Sequence, residues 1–200
     1  YRGDFEGLSL LPLYKAYRAL VRGKIALFTM GNPGLSEDDK AKLMQSYRNY
    51  AQLADDCEAI PNCYLLATTG LSASGKTCVS AAMAQKLDLI RLRSDVERKR
   101  LHGLAPLADS KSGLGTDLYS PEATQKTYQS LADHASELLA SGLSVIIDAA
   151  CLKHEERALF AGIAEDQGVP FLLVHCEAPE ALRRQWVRER KGDASEATEE

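Results

Sequence analysis

The chain has 200 residues and a mass of 21.8 kDa, enough for one domain, or one domain with an appendage, that buries roughly 70% of its unfolded surface. With 45% hydrophobic and 26% charged residues, the composition is that of a globular protein and excludes a disordered one. The net charge of −4 argues against a strongly cationic nucleic-acid binder, and no apolar run approaches the roughly 20 residues that cross a bilayer.

Residues 1–57 have a helical period. Leu13, Tyr17, Leu20, Val21, Ile25 and Phe28 recur at steps of three or four and predict one apolar stripe. Gly31-Asn32-Pro33-Gly34 breaks the pattern. Ser36 then precedes Glu37, Asp38 and Asp39, a capping arrangement whose acids suit the positive end of a helix dipole. Leu43, Tyr47, Tyr50 and Leu53 continue as a second stripe. The expectation is a two-helix hairpin over 1–57 with too little core to stand as a domain.

From residue 60 the rhythm changes to alternating strands and helices. Strands are expected at Cys63–Thr69, Leu89–Arg93, Val145–Asp148 and Phe171–His175. Helices are expected from Gly75 to Leu87, Val96 to His102, Ser120 to Gly142, His154 to Gln167 and Pro179 to Lys191. Ser120-Pro121 reads as a cap followed by proline at the first helical position. The alternation predicts a parallel sheet covered on both faces, an α/β three-layer sandwich over residues 58–200.

The sharpest motif is Gly70-Leu71-Ser72-Ala73-Ser74-Gly75-Lys76-Thr77, a full G-x-x-x-x-G-K-[ST] between a strand and a helix. Its glycines allow backbone angles that turn amide N–H groups inward around phosphate oxygens. The following helix N-terminus adds roughly half a positive charge. Lys76 is the expected ligand of the β- and γ-phosphates of ATP and Thr77 of Mg²⁺. Gly70, Ser72, Ala73, Ser74, Gly75, Lys76, Thr77 and Cys78 form the expected nucleotide site.

Asp95 closes the second strand, at the sheet end where ligands gather in open α/β folds. It suits a general base for an acceptor hydroxyl, and equally a helix N-cap. Arg98 lies one turn on and suits an anionic group of the acceptor, whereas Lys99 and Arg100 read as a solvated run. Asp148, after Val145-Ile146-Ile147, reads as the acid that supports Mg²⁺. Arg183, Arg184, Arg188 and Arg190 crowd the last helix, where an arginine segment closing over the nucleotide would neutralise charge in phosphoryl transfer. Arg190 is the best single candidate. The four histidines show no ligand spacing, and nothing separates Lys111 or Tyr119 as acceptor contacts from solvent-exposed residues. Five cysteines without CxxC spacing point to a reducing cytoplasm and against a zinc site.

These residues resemble a known group. Gly70–Thr77, the run Arg91-Leu92-Arg93-Ser94-Asp95-Val96-Glu97-Arg98-Lys99-Arg100-Leu101, Val145–Asp148 and Asp193-Ala194-Ser195-Glu196-Ala197 are similar to P-loop kinases of the zeta-toxin, polynucleotide-kinase, gluconate-kinase and chloramphenicol-phosphotransferase type. The form with Arg-Leu-Arg-Ser-Asp-Val resembles the carboxyl-terminal half of bifunctional aminoglycoside phosphotransferase/ATP-binding proteins. Residues 17–24 resemble the tail of the phosphotransferase-like half in that fusion. The resemblance implies that the chain is a piece of a longer polypeptide whose upstream domain is a partner, and that its final strand is missing. By the same resemblance Asp95 activates the acceptor, Arg98 binds acceptor phosphate and Arg190 is a lid arginine. The expected activity is transfer of the γ-phosphate of ATP to a small-molecule acceptor. The alternative is a nucleotide-sensing module that regulates the fused half. The charge and the lack of a basic–aromatic groove count against a polynucleotide end kinase.

Overall fold

The computed structural model describes residues 5–58, 63–106, 108 and 117–189. The chain divides into two compact units, one within Gly7–Pro61 and one that carries the sheet.

The first unit is a helical hairpin, α1 (Leu11–Met30) and α2 (Glu37–Glu58). The Ser36 hydroxyl accepts the Asp39 amide at 3.1 Å and caps α2 as expected. The packed face of α1 differs from the expectation. Ala19, Gly23 and Ala26 are its buried residues, and a methyl on Gly23 would sit 3.4 Å from the Tyr47 ring and 3.7 Å from Tyr50 Cβ. Leu13, Tyr17, Leu20, Ile25 and Phe28 are exposed, Phe28 by 73%. Apolar period alone does not say which face meets the partner helix. Small residues do so here because they let the two backbones approach closely.

The second unit is built on four parallel strands: β1 (Leu65–Thr69), β2 (Ile90–Arg93), β3 (Val145–Asp148) and β4 (Phe171–His175), in the order β2-β3-β1-β4. The central β1 and β3 are buried along their whole length, as strands covered on both faces must be. Leu66 and Ile146 are register partners, and they form a core with Leu89 under Met83 and Ala84 of α3 (Lys76–Leu87). On the remaining elements, α5 (Pro121–Ala140) buries Leu131, Ala135 and Leu138, and α6 (His154–Asp166) buries Phe160 and Ala164. Ser120 caps α5 by accepting the Ala123 amide at 3.1 Å, with Pro121 at the first helical position. Strand β4 is an edge of the sheet, with Leu172 and Leu173 exposed.

The described residues of the unit also include two shorter α-helices. The helix α4 (Ser94–Leu101) begins directly after β2, so Asp95 lies in its first turn and not on the strand. Arg93 occupies the N-cap position, which removes Asp95 as the cap. The last helix, α7 (Glu180–Glu189), buries none of its residues. The sheet reverses direction of growth at β1, with β2 and β3 to one side and β4 to the other. That switch point opens a crevice at the carboxyl ends of β1 and β3. Among the described residues, no helix is long and apolar enough to cross a membrane.

Candidate active site

The phosphate loop fills that crevice. Gly70 has φ +144° and Gly75 φ +91°, and Ala73 adopts φ +56°. Together these angles turn the chain tightly from β1 into α3. The Gly70 amide donates to the Ala150 carbonyl at 3.0 Å, and the Cys176 amide donates to the Thr69 carbonyl at 2.8 Å. The loop is thus pinned to the segments after β3 and β4. The Lys76 ammonium curls over the loop and donates to the carbonyls of Gly70 (2.9 Å) and Leu71 (2.7 Å). The Ser74 hydroxyl is buried with no hydrogen-bond partner among the described residues. A concave backbone, a lysine folded across it and an orphaned buried hydroxyl fit a bound triphosphate. Ser72 is exposed, Thr77 half-buried and Cys78 exposed at the start of α3.

The wall behind the loop is the segment after β3. Cys151 is fully buried at φ +41°. Its carbonyl accepts from Thr69 (3.1 Å) and Arg157 (2.9 Å), and its amide donates to the Tyr128 hydroxyl at 3.1 Å. Burial, with Glu156 nearby, pushes the Cys151 thiol up to about 12, so it stays protonated and is no nucleophile.

Asp148 ends β3 and is 6% exposed. Its Oδ2 makes no hydrogen bond to any described residue, yet it stands 3.3 Å from Arg93 Nε and 3.6 Å from Arg91 Nη2. Sequence reasoning passed over both arginines. Their alternation along β2, beside the Asp-terminated strand, was the available signal. Among the described residues no three His, Cys, Asp or Glu groups converge as a metal cage. A hydroxyl at Thr77 and one unbonded carboxylate oxygen at Asp148 are hard oxygen donors of the kind Mg²⁺ accepts alongside substrate phosphates.

The charged run on α4 divides, with Arg100 exposed as expected and Lys99 buried. Lys99 is 1% exposed, with its ammonium on the Ala108 carbonyl at 2.8 Å. Arg98 is also buried, and its Nε has no hydrogen-bond partner among the described residues. Its Nη1 donates to the Leu118 carbonyl and the Thr124 hydroxyl, both at 3.1 Å, and the guanidinium lies 5.1 Å from the Tyr119 ring. It ties α4 to the first turn of α5 and lies three residues along the chain from Asp95, which is half-buried. On α7, Arg183 donates to the Ala178 carbonyl at 3.1 Å, Arg184 pairs with Glu180 and Arg188 is exposed. Arg190 and Lys111 lie outside the described residues.

Glu97 carries no role in the sequence reading, yet it is heavily bonded. It is 3% exposed. Arg100 grips both its oxygens (2.9 and 2.6 Å), Ser130 donates at 2.5 Å, and His134 Nε2 stands at 3.5 Å. Burial alone would raise its carboxyl. Arg100, His134 and Ser130 outweigh burial and hold it well below the usual carboxylate range. A depressed folded value means the stabilisation is present above the unfolded value and is lost as pH falls, here progressively below about pH 5. Melting curves between pH 3 and 7 should therefore show a shallower acid limb for Glu97→Gln, which should also be less stable than wild type at neutral pH. Parallel acid limbs would mean that Glu97 carries no linked charge.

With this geometry in place, comparison with known proteins is informative. A family model described as AAA domain (AAA_33) matches residues 65–200. Over 200 residues, 99% of this chain, the sequence is 26% identical to uncharacterised proteins of Mycobacterium bovis and Mycobacterium tuberculosis, and it spans 39% of their length. A Chloroflexus aurantiacus protein described as a candidate kinase overlays with a TM-score of 0.53, covering 65% of this chain and 68% of that one at 21% identity. That overlay supports the fold, a P-loop kinase-like arrangement of four parallel strands between helices. Since the family match begins at the first residue of β1 and takes in the phosphate loop, Asp95 and Asp148, the chain belongs to the AAA domain family.

Proposed function

We propose that the sheet-bearing unit is an ATP-dependent phosphotransferase that moves the γ-phosphate of ATP to a hydroxyl of a small acceptor. The observation that carries this reading is the phosphate loop, with Lys76 folded over its carbonyls and Asp148 at the end of the neighbouring strand. Lys76 and the loop amides hold the phosphates, and Lys76 trades two neutral carbonyl partners for charged ones. Thr77 and Asp148 would hold Mg²⁺, which when bound draws charge from the phosphate oxygens. Asp95 accepts the proton of the acceptor hydroxyl as its oxygen bonds to the γ-phosphorus. The bond from that phosphorus to the bridging oxygen breaks, and ADP leaves with the electron pair. Arg98, buried between α4 and α5, positions Asp95 in this reading and does not touch the acceptor. Arg183, Arg188 and Arg190 remain candidates for the nucleotide side of the crevice.

The remaining features are assigned on the same footing. The five free cysteines suit a reducing cytoplasm. The helical unit is read as part of an adjoining phosphotransferase-like domain in a longer polypeptide. A nucleotide sensor would share the loop but has no use for a base.

The test is ATP consumption across a panel of hydroxyl-bearing metabolites, with Lys76→Ala as control. In that variant Mg·ATP affinity should fall roughly 10- to 100-fold, since hydrogen bonds to charged groups contribute about 1.5–3 kcal/mol. Loss of the carbonyl contacts should lower the melting temperature by only a few degrees, roughly 2–4 °C per kcal/mol at this size. Unchanged affinity in a folded Lys76→Ala variant, measured by calorimetry, would refute the phosphate-loop reading.

A further inference from the structure

Two arginines of β2 remain without a role in the reaction as described. Arg91 and Arg93 are two residues apart on one strand and so share a face. Parallel pairing sets Arg93 directly beside Asp148, and that face is the one covered by α3, because Arg91 Nη1 also donates to the Thr77 carbonyl at 3.4 Å. A single guanidinium therefore spans from Thr77 to Asp148, the two residues assigned to Mg²⁺. Arg93 stands closer to the carboxylate, with Nε 3.3 Å from Oδ2, and the two side chains are only 14% and 5% exposed.

Two cations thus face one carboxylate in a place where water screens little. Despite this, Asp148 Oδ2 receives no hydrogen bond from the described residues. The attraction is Coulombic and lacks the directional bond that makes a guanidinium–carboxylate pair strong. A small divalent cation carries twice the charge, and an oxygen ligand approaches it to about 2.1 Å. It can therefore displace a guanidinium held this way.

Resting on the reading of the nucleotide site above, we propose that Arg93 holds Asp148 in the metal-free protein and yields to the divalent cation when Mg·ATP binds. Arg93 then sets how strongly the site depends on the cation. Arg91, tied also to the first turn of α3, keeps its place. Both are positioning residues, since neither needs to touch the reacting atoms.

The experiment measures affinity for ATP with Mg²⁺ and for ATP in EDTA, by calorimetry on the whole chain. In Arg93→Met, which keeps the aliphatic length and loses the charge, the ratio of the two affinities should rise about fivefold, the upper end of what an ion pair without a directional hydrogen bond contributes. Arg93→Lys should restore the wild-type ratio. A merely structural role would lower both affinities together and leave the ratio unchanged. An unchanged ratio in folded Arg93→Met overturns the proposal while the phosphate-loop reading stands. A wild-type chain that binds neither form of ATP overturns both. Should Arg93→Met fail to fold, the Nε–H resonance of Arg93 in the wild-type ATP complex gives the answer. It should shift on addition of Mg²⁺, and an unmoved resonance overturns the proposal.

Discussion

Asp95→Asn should reduce phosphoryl transfer about 10²- to 10⁴-fold, the usual contribution of a positioned base, while ATP affinity and melting stay close to wild type. The asparagine keeps the shape and one carbonyl oxygen and loses the basicity together with the negative charge. Asp95 is half-buried in the first turn of α4, where a negative charge is favoured by the helix dipole and its removal costs about 0.3–1 kcal/mol. Stability is therefore a poor reporter of this change and rate a sensitive one. The measurement is single-turnover transfer to whichever acceptor the ATP-consumption panel returns, alongside calorimetric ATP affinity. Full transfer by the variant would place the base elsewhere. Much weaker ATP binding would move Asp95 into the cation site. A sensor module would keep its nucleotide response in this variant, so the same protein separates the two functional readings.

Gly70→Ala should be the most damaging single methyl in the unit. The backbone there has φ +144°, a region closed to L side chains at a cost of about 1–3 kcal/mol. The added Cβ would also run into the Cys176 carbonyl oxygen and sit 2.9 Å from Ser74 Oγ. The serine can turn away, but the carbonyl cannot. Its residue's amide is bonded to Thr69, which anchors that strip of chain to β1. Strain and clash together point to a loss of roughly 3–5 kcal/mol, and a fall in melting temperature near 10 °C for a chain of this size. Gly75→Ala is the matched comparison. It carries positive φ, but nothing lies within 4 Å of the added methyl, so it should show the strain alone. Equal losses in the two variants would mean that the Cys176 contact is unimportant.

The sheet and the loop were legible because their signals are local. β1, β3 and β4 are short, mostly apolar runs, β2 alternates Ile90 and Leu92 with two arginines, and the phosphate loop fixes its own position between a strand and a helix. The misreadings share a different origin. Lys99 looks like a surface charge because the carbonyl that takes its ammonium, Ala108, lies 9 residues further along the chain, and the Arg98 partners Leu118 and Thr124 lie 20 and 26 residues on. The stripe on α1 was correctly periodic, but the contact with α2 is made by Ala19, Gly23 and Ala26, whose small size is the attraction. The pairing of Arg93 with Asp148 joins residues 55 apart, and no local spacing encodes it. Glu97 escaped notice for the same reason, since Ser130 and His134 reach it only once α5 packs on α4.

The latch around Cys151 bears on the thermodynamics of ligand capture. An irregular segment beside a binding crevice is ordinarily loose until something fills it, and then affinity is reduced by the entropy of ordering. Here the segment after β3 is fixed from three directions, by Thr69, Tyr128 and Arg157. Its conformational freedom is surrendered during folding, at roughly 1–2 kcal/mol for each backbone residue held. A nucleotide arriving at the phosphate loop therefore meets a wall that is already set, and little of its interaction energy goes into arranging that side of the crevice.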